Sequence, residues 1–578
     1  MKLRLYVLIA VFSIGLLGLT ARLFFWQVVK SEELTSAAKT QHQSGRRIVA
    51  DRGNILSADG SLLAASSQSW LLFVQKSETD LSTKTIANKL APILVEEIDY
   101  KPDDSRDNKQ KLLDETNRIQ EMLDRADLVW VPVRHKLSSD VKRNIQALKI
   151  KGVGFDPEES RFYPEGSSSA HVLGFVGKDQ DGVDKGYFGL EGFYDLSLTG
   201  KPGFIQQESD AQGTPILFGG SKEISALSGV DLKTHIDKRM QFIVEEKLKE
   251  GIERYGAKNG VAIIMNPKTG AVMAMAAFPS YDPAKYFEFG NEYFKNPVIS
   301  DAFEPGSIFK PLVMASGLDS NSIEVDTKCD ICDGPLKIDK YYIETWNNKY
   351  NPNASMTDII VHSDNVGMTF IGQKIGQEKL YDYLKKFGFG QVTGIDLQGE
   401  ASPQLRAKDK WNIVDLATAT FGQGIAVTPI QIIQGFTAIA NKGKMVSPQI
   451  VDKIITDKGE QDIKQQPAKQ VISEKAATET TAMMIEAVED GEAKWTKLTN
   501  FNIAGKTGTA QIPISGHYDA EKTIASFIGF APANDPKFLM LVTLKEPQTS
   551  TWASETAAPL WFNVAKELFP YLGIQPEN

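Results

Sequence analysis

The sequence predicts an α+β chain in three parts: an N-terminal membrane helix, a mixed α/β pedestal, and a larger C-terminal domain with an antiparallel sheet flanked by helices. Three observations carry this. One uncharged apolar run stands at the start of the chain, short strand-like segments fill the next two hundred residues, and the remainder runs helix, two strands, a long helical insertion, three strands and a final helix. The boundaries fall at 1–30 for the cytoplasmic tip and anchor, 31–233 for the pedestal and 234–578 for the C-terminal domain.

The anchor is read from Leu5–Ala21, 17 residues without a charge, bounded by Lys2 and Arg4 before it and by Arg22, Phe24, Phe25 and Trp26 after it. With the aromatic residues and a snorkelling Arg22 this is long enough to cross a bilayer. The leading basic residues favour a cytoplasmic N-terminus, with everything beyond about residue 30 outside. No small-x-small cleavage site follows the apolar run, which favours an uncleaved anchor over a signal peptide.

Within 31–233 the most polar segment is Lys101–Asp127, rich in Asp, Lys, Arg and Gln, and it reads as a solvated helix or insertion. Thr234-His235-Ile236-Asp237 then opens the second region. Met240–Tyr255 reads as an amphipathic helix, and Val261–Met265 and Ala271–Ala277 as a hairpin about the turn Asn266-Pro267-Lys268-Thr269-Gly270. Thr523–Phe530 and Phe538–Leu544 are the later strands, and Ala557–Leu572 the closing helix.

At 578 residues and 42% hydrophobic content the chain can build several cores. A net charge of −9, with no long basic stretch, excludes nucleic acid as the expected partner. The two cysteines, Cys329 and Cys332, lack a second ligand pair, which argues against a zinc site; outside the cytoplasm either a local disulfide or two free thiols fits them. No metal or cofactor is expected.

Chemistry concentrates in three short strings. The first is Ser307-Ile308-Phe309-Lys310, which follows the turn signal Glu304-Pro305-Gly306 and precedes a helix-like run to Leu318. Ser307 belongs at a helix start, where Pro311 is tolerated because the first backbone N–H groups have no intrahelical partner. Lys310, three residues on, lies one turn along the same face and is a base for the hydroxyl once it is neutral. Burial and a second cation favour that neutral form, and Lys506 is the candidate cation.

The second string is Ser363-Asp364-Asn365, between two helical segments. Ser363 is placed to relay a proton, and Asn365 to orient both the lysine and a peptide bond. His362 has no role in such a scheme. The third is Lys506-Thr507-Gly508-Thr509, on a strand. Lys506 and Thr507 would hold a substrate carboxylate, Gly508 would leave room for an extended peptide, and the backbone N–H groups of Thr509 and Ser307 would pair as oxyanion donors.

In this order the three strings resemble those of the class B penicillin-binding proteins, bitopic peptidoglycan transpeptidases, and the division type more than the elongation type. Further segments carry the same resemblance: Phe421-Gly422-Gln423-Gly424 through Gln431, Thr393-Gly394 through Glu400, Arg52-Gly53-Asn54-Ile55 with Asp59-Gly60, Arg161-Phe162-Tyr163-Pro164, and Gly189-Leu190-Glu191-Gly192. Ile308 departs from the threonine usual beside the nucleophile in the division type, and Pro297 from a frequent arginine.

The resemblance implies a membrane-anchored D,D-transpeptidase with Ser307, Lys310, Ser363, Asn365 and Lys506 catalytic, and Thr507, Gly508 and Thr509 binding substrate. It implies stem peptides or a lipid-linked precursor as substrate, covalent reaction with β-lactams, and a glycan polymerase and division proteins as partners. The alternatives are a D,D-carboxypeptidase or β-lactamase of the same fold, for which no class A type carboxylate motif stands between Asn365 and Lys506, a β-lactam sensor, and a non-catalytic division scaffold. A sensor would need an output module, and only Met1–Arg4 precedes the anchor.

Overall fold

The structure, a computed structural model, describes residues 2–34, 43–48, 50–98, 105–208, 221–514 and 517–577. Two compact units divide the chain, Met1–Arg52 with Thr199–Gly229, and Gly53–Leu198 with Val230–Asn578.

In the first unit, helix runs over Lys2–Val29, 28 residues with no buried residue in its apolar window. At 1.5 Å per residue it is about 42 Å long, enough to cross a membrane. The same unit holds a three-stranded antiparallel sheet of Gln43–Ile48, Gly203–Glu208 and Ser221–Ile224.

The second unit contains two larger sheets. One has seven strands: Gly459–Asp462, Val451–Thr456, Asp231–Thr234, Ile55–Leu56, Leu62–Gln75 and Trp130–Leu137 in order, with Val153–Phe162 also paired to Leu62–Gln75. Strands from residues 451–462 thus complete a sheet begun near residue 55. Leu72, Val74, Val131 and Val133 of this sheet pack against Ile86, Leu90 and Leu94 of helix Thr83–Glu96.

The charged stretch expected to be solvated is instead amphipathic over its described part. Helix Asn108–Asp124 buries Ile119 and Leu123 in the same cluster, and its buried Glu115 accepts from Arg118 and Arg134; residues 101–104 of that stretch lie outside the described residues. Its mean polarity conceals an i, i+4 apolar pair.

Three segments of the family resemblance meet in this region. The Arg161 guanidinium donates to Glu191 at 2.6 Å and to the Gly53 carbonyl at 2.8 Å, with both side chains buried. A fourth supplies Asp396, which accepts from the backbone N–H groups of Ile450 and Val451 and from the Tyr194 hydroxyl.

The other large sheet organises the C-terminal domain. Asp237 caps α1 (Lys238–Tyr255) by accepting from the Met240 N–H, and Gly256 at φ +62° ends it. Next come β1 (Asn259–Met265) and β2 (Val272–Phe278), the expected hairpin. The insertion carries α2 (Lys310–Asp319), α3 (Met356–Val361), α4 (Asn365–Ile375) and α5 (Glu474–Glu489). The chain closes with β3 (Ala504–Ile514), β4 (His517–Ala531), β5 (Phe538–Lys545) and α6 (Ala557–Tyr571).

The order across this sheet is β2-β1-β5-β4-β3, antiparallel throughout. Central β5 is apolar at nearly every position because both its faces are covered. Phe538, Met540 and Val542 face a core built with α1 and α6, whereas Leu539 and Leu541 face the core of the helical insertion around Phe309 and Leu312. The last strand, β3, lies at the edge, beside the start of α2. Cys329 and Cys332 form a disulfide within the insertion.

Candidate active site

Ser307 lies in a single 3-10 turn, Gly306–Phe309, that runs into α2, with Pro311 in the first turn of the helix. Gly306 has φ +57°, and its N–H donates to the Gly422 carbonyl at 3.0 Å. A Cβ on Gly422 would lie 2.3 Å from the Gly306 carbonyl oxygen. Two glycines therefore let the segment at 421–424 press against the turn that presents Ser307.

Lys310 is wholly buried. Its Nζ donates to the Ser363 carbonyl at 2.5 Å, the Ser363 Oγ at 3.2 Å and Asn365 Oδ1 at 2.8 Å. Ser363, at φ +55°, turns its carbonyl toward the lysine between α3 and α4. Asp364 caps α4, accepting from the N–H groups of Val366 and Gly367. Asn365 Nδ2 donates to the Glu344 carbonyl at 2.9 Å, so its amide fixes the lysine on one side and the chain before α3 on the other.

Among the described residues the Ser307 hydroxyl makes no hydrogen bond, and Lys310 directs all three of its donors at the second string. Contacts between a nucleophile and its base are often long without ligand and tighten when it binds, so the open contact does not exclude Lys310 as a base for Ser307.

On edge strand β3, Lys506 is 2% exposed, and its Nζ donates to the Thr507 carbonyl and hydroxyl at 3.2 Å each. Gly508 is also where the strand comes closest to the Ser307 turn. A Cβ there would lie 2.8 Å from Ile308 Cγ2 and 2.9 Å from Ile308 N, so the missing side chain lets β3 approach the start of the Ser307 helix. Thr509 Oγ1 accepts from the Ala553 N–H at 3.0 Å, which ties β3 to the segment before α6.

The first and third strings therefore touch backbone to side chain, and the second is joined to the first through Lys310. Burial, and after it the charge of Lys506, holds the Lys310 ammonium down at about 7; burial also lowers Lys506. A buried amine that is neutral near pH 7 can take a proton from a hydroxyl, and a second, cationic amine can hold an anion.

A cleft is lined by Ser307, Ser363, Asn365 and Thr509. Also lining it are Trp346, Phe421, Gln423, Glu492 and Trp552. The two indoles meet at 5.1 Å between ring centroids, and each remains about half exposed. Trp346 Nε1 donates to the His362 carbonyl, so His362 contributes backbone here while its ring lies outside the cleft lining.

Glu492, Trp346 and Trp552 belong to none of the three strings. Phe421 and Gln423 were legible only as family resemblance. Glu492 is a cleft carboxylate between Asn365 and Lys506 in the chain, at a position no local pattern marks.

The family described as penicillin binding protein transpeptidase domain matches residues 260–569, and that described as penicillin-binding protein dimerisation domain matches residues 47–234. Stage V sporulation protein D of Bacillus subtilis (strain 168) is 32% identical over 564 residues, which cover 96% of this chain and 84% of the relative. Peptidoglycan D,D-transpeptidase FtsI of Buchnera aphidicola subsp. Schizaphis graminum is 30% identical over 459 residues, 78% of this chain and 77% of the relative. Among solved structures, penicillin binding protein 2X from Streptococcus thermophilus superposes with a TM-score of 0.73 at 25% identity, covering 92% of this chain and 80% of that one.

The chain belongs to the penicillin-binding protein transpeptidase family. With a dimerisation domain preceding the transpeptidase domain, it is a class B member.

Proposed function

We propose that this protein cross-links peptidoglycan as a serine D,D-transpeptidase, through an acyl-enzyme on Ser307. The Ser307 oxygen attacks the carbonyl of the penultimate D-Ala of a pentapeptide stem as its proton passes to Lys310. The C–N bond to the terminal D-Ala then breaks, and that proton reaches the leaving amine through Ser363. An amine from a neighbouring stem attacks the ester, its proton returns to Ser307 by way of Lys310, and the cross-link leaves. Lys506 and Thr507 dock the terminal carboxylate, Gly508 keeps β3 against the Ser307 turn, and the N–H groups of Ser307 and Thr509 receive the oxyanion. β-Lactams acylate the same hydroxyl.

One observation carries this reading: a buried lysine with a proton affinity tuned to about 7, one short turn from a serine hydroxyl that lines the cleft and has no hydrogen-bond partner among the described residues. The domain roles follow, with 1–30 as anchor, 31–233 as pedestal and 234–578 catalytic. The N-terminus is cytoplasmic and the catalytic domain outside. Similarity to a peptidoglycan D,D-transpeptidase FtsI supports action at division, and a glycan polymerase and division proteins are the partners this reading assigns.

The test is labelling with a fluorescent penicillin, followed by peptide mapping. The adduct is expected on Ser307 and absent from Ser307→Ala. Stable, folded protein that acquires no adduct at saturating drug would refute the assignment.

A further inference from the structure

Glu492 stands where the docking strip is expected to be cationic. Its Oε2 accepts from the Thr507 hydroxyl at 2.9 Å, and it shares the cleft with Ser307. Gly491, just beyond the end of α5, makes this placement. A Cβ there would lie 2.2 Å from the Ala487 carbonyl oxygen and 3.1 Å from that of Val361, so the close turn delivering Glu492 into the cleft admits only glycine.

Two consequences follow for any ligand at the strip. A hydroxyl has one proton, and while Thr507 gives it to Glu492 it cannot give it to a ligand carboxylate. The Lys506 amine in turn donates to Thr507, forming a chain Lys506–Thr507–Glu492 in which the carboxylate offsets the ammonium. An anion arriving there meets a strip of formal charge zero, and meets the Glu492 carboxylate at short range.

We infer that Glu492 is a specificity-determining residue of the docking strip: it weakens the hold on carboxylate ligands relative to uncharged ligands of the same shape. The inference rests on the reading of Lys506 and Thr507 as that strip. In the proposed reaction the consequence is a loosely held D-Ala carboxylate, which leaves readily, in a cleft that does not repel the ammonium of an incoming stem.

The test compares acylation rates of the full-length, detergent-solubilised chain by a penicillin and by the methyl ester of the same penicillin, in wild type, Glu492→Gln and Glu492→Asp. Glutamine keeps an acceptor for the Thr507 hydroxyl and removes only the charge. In E492Q the ratio of acid rate to ester rate should rise on the order of tenfold, while E492D should stay near the wild-type ratio. A purely structural role for Glu492 would move both rates together and leave the ratio unchanged, which would overturn the inference. So would a rise of equal size in E492D, since the charge is retained there. If the wild type forms no Ser307 adduct with either probe, the transpeptidase reading falls as well; adducts with an unchanged ratio refute only the role of Glu492.

Discussion

The Lys310 ammonium nitrogen lies 2.5 Å from the carbonyl oxygen of Ser363, a residue held at φ +55° between two helices. That contact joins the first string to the second. It explains why the serine of the second string tolerates a left-handed backbone: the conformation turns its carbonyl into the pocket where the lysine is desolvated. With Asn365 Oδ1 it fixes the amine in place.

Removing that amine should silence the site. Lys310→Ala is expected to reduce acylation of Ser307 by penicillin at least ~100-fold, the range of a lost general base. Stopped-flow or gel-based acylation rates check this. Thermal unfolding of the same variant shows that the loss is chemical if its transition remains cooperative.

The pH profile follows from the lowered Lys310. Above about 7 the amine is neutral and accepts the serine proton, so acylation should rise through pH 7 and level off above it. Because the Lys506 charge helps hold Lys310 down, Lys506→Ala should move the inflection upward even as the rate falls. For stability the sign is the opposite of the usual paired lysine. The folded value lies below the unfolded 10.5, so between about 7 and 10.5 the unfolded chain binds the extra proton and this group's contribution to stability increases with pH. Rates and thermal midpoints measured across that window test both statements.

Gly508→Ala should uncouple catalysis from folding. Its new methyl would contact Ile308 at under 3 Å and push β3 away from the Ser307 turn. The expected cost is about 1–3 kcal/mol of stability, with a loss of acylation rate far larger than the unfolded fraction accounts for. Unchanged acylation would show that the Ile308 contact is dispensable.

Glu191→Ala should damage the fold without touching the cleft. It leaves the Arg161 guanidinium buried without its carboxylate, and such losses cost about 3–5 kcal/mol. Replacing both residues with leucine should recover much of that. Denaturation midpoints of the two variants decide it, and penicillin acylation per folded molecule should be normal in both.

The three strings, the amphipathic helix at 240–255, the hairpin of 261–265 and 271–277 and the strand at 538–544 were legible in the sequence, because each depends on neighbours in the chain. A Ser-x-x-Lys spacing brings its residues onto one turn, a turn signal ends a strand, and an unbroken apolar run declares burial on both faces. Family resemblance extended this to Arg161 and Glu191, though not to the fact that they bind each other.

Tertiary packing alone decided the rest. Glu492 enters the cleft because a glycine turn at the end of α5 abuts Val361, and Trp346 and Trp552 meet although 206 positions separate them. Gly508 faces Ile308 because β3 is the sheet edge beside α2, and Ile119 and Leu123 are buried because a second helix lies over them. Local sequence encodes conformation over a few residues. Proximity across hundreds of residues, and the desolvation that brings Lys310 down to about 7, exist only once distant surfaces have excluded water between them.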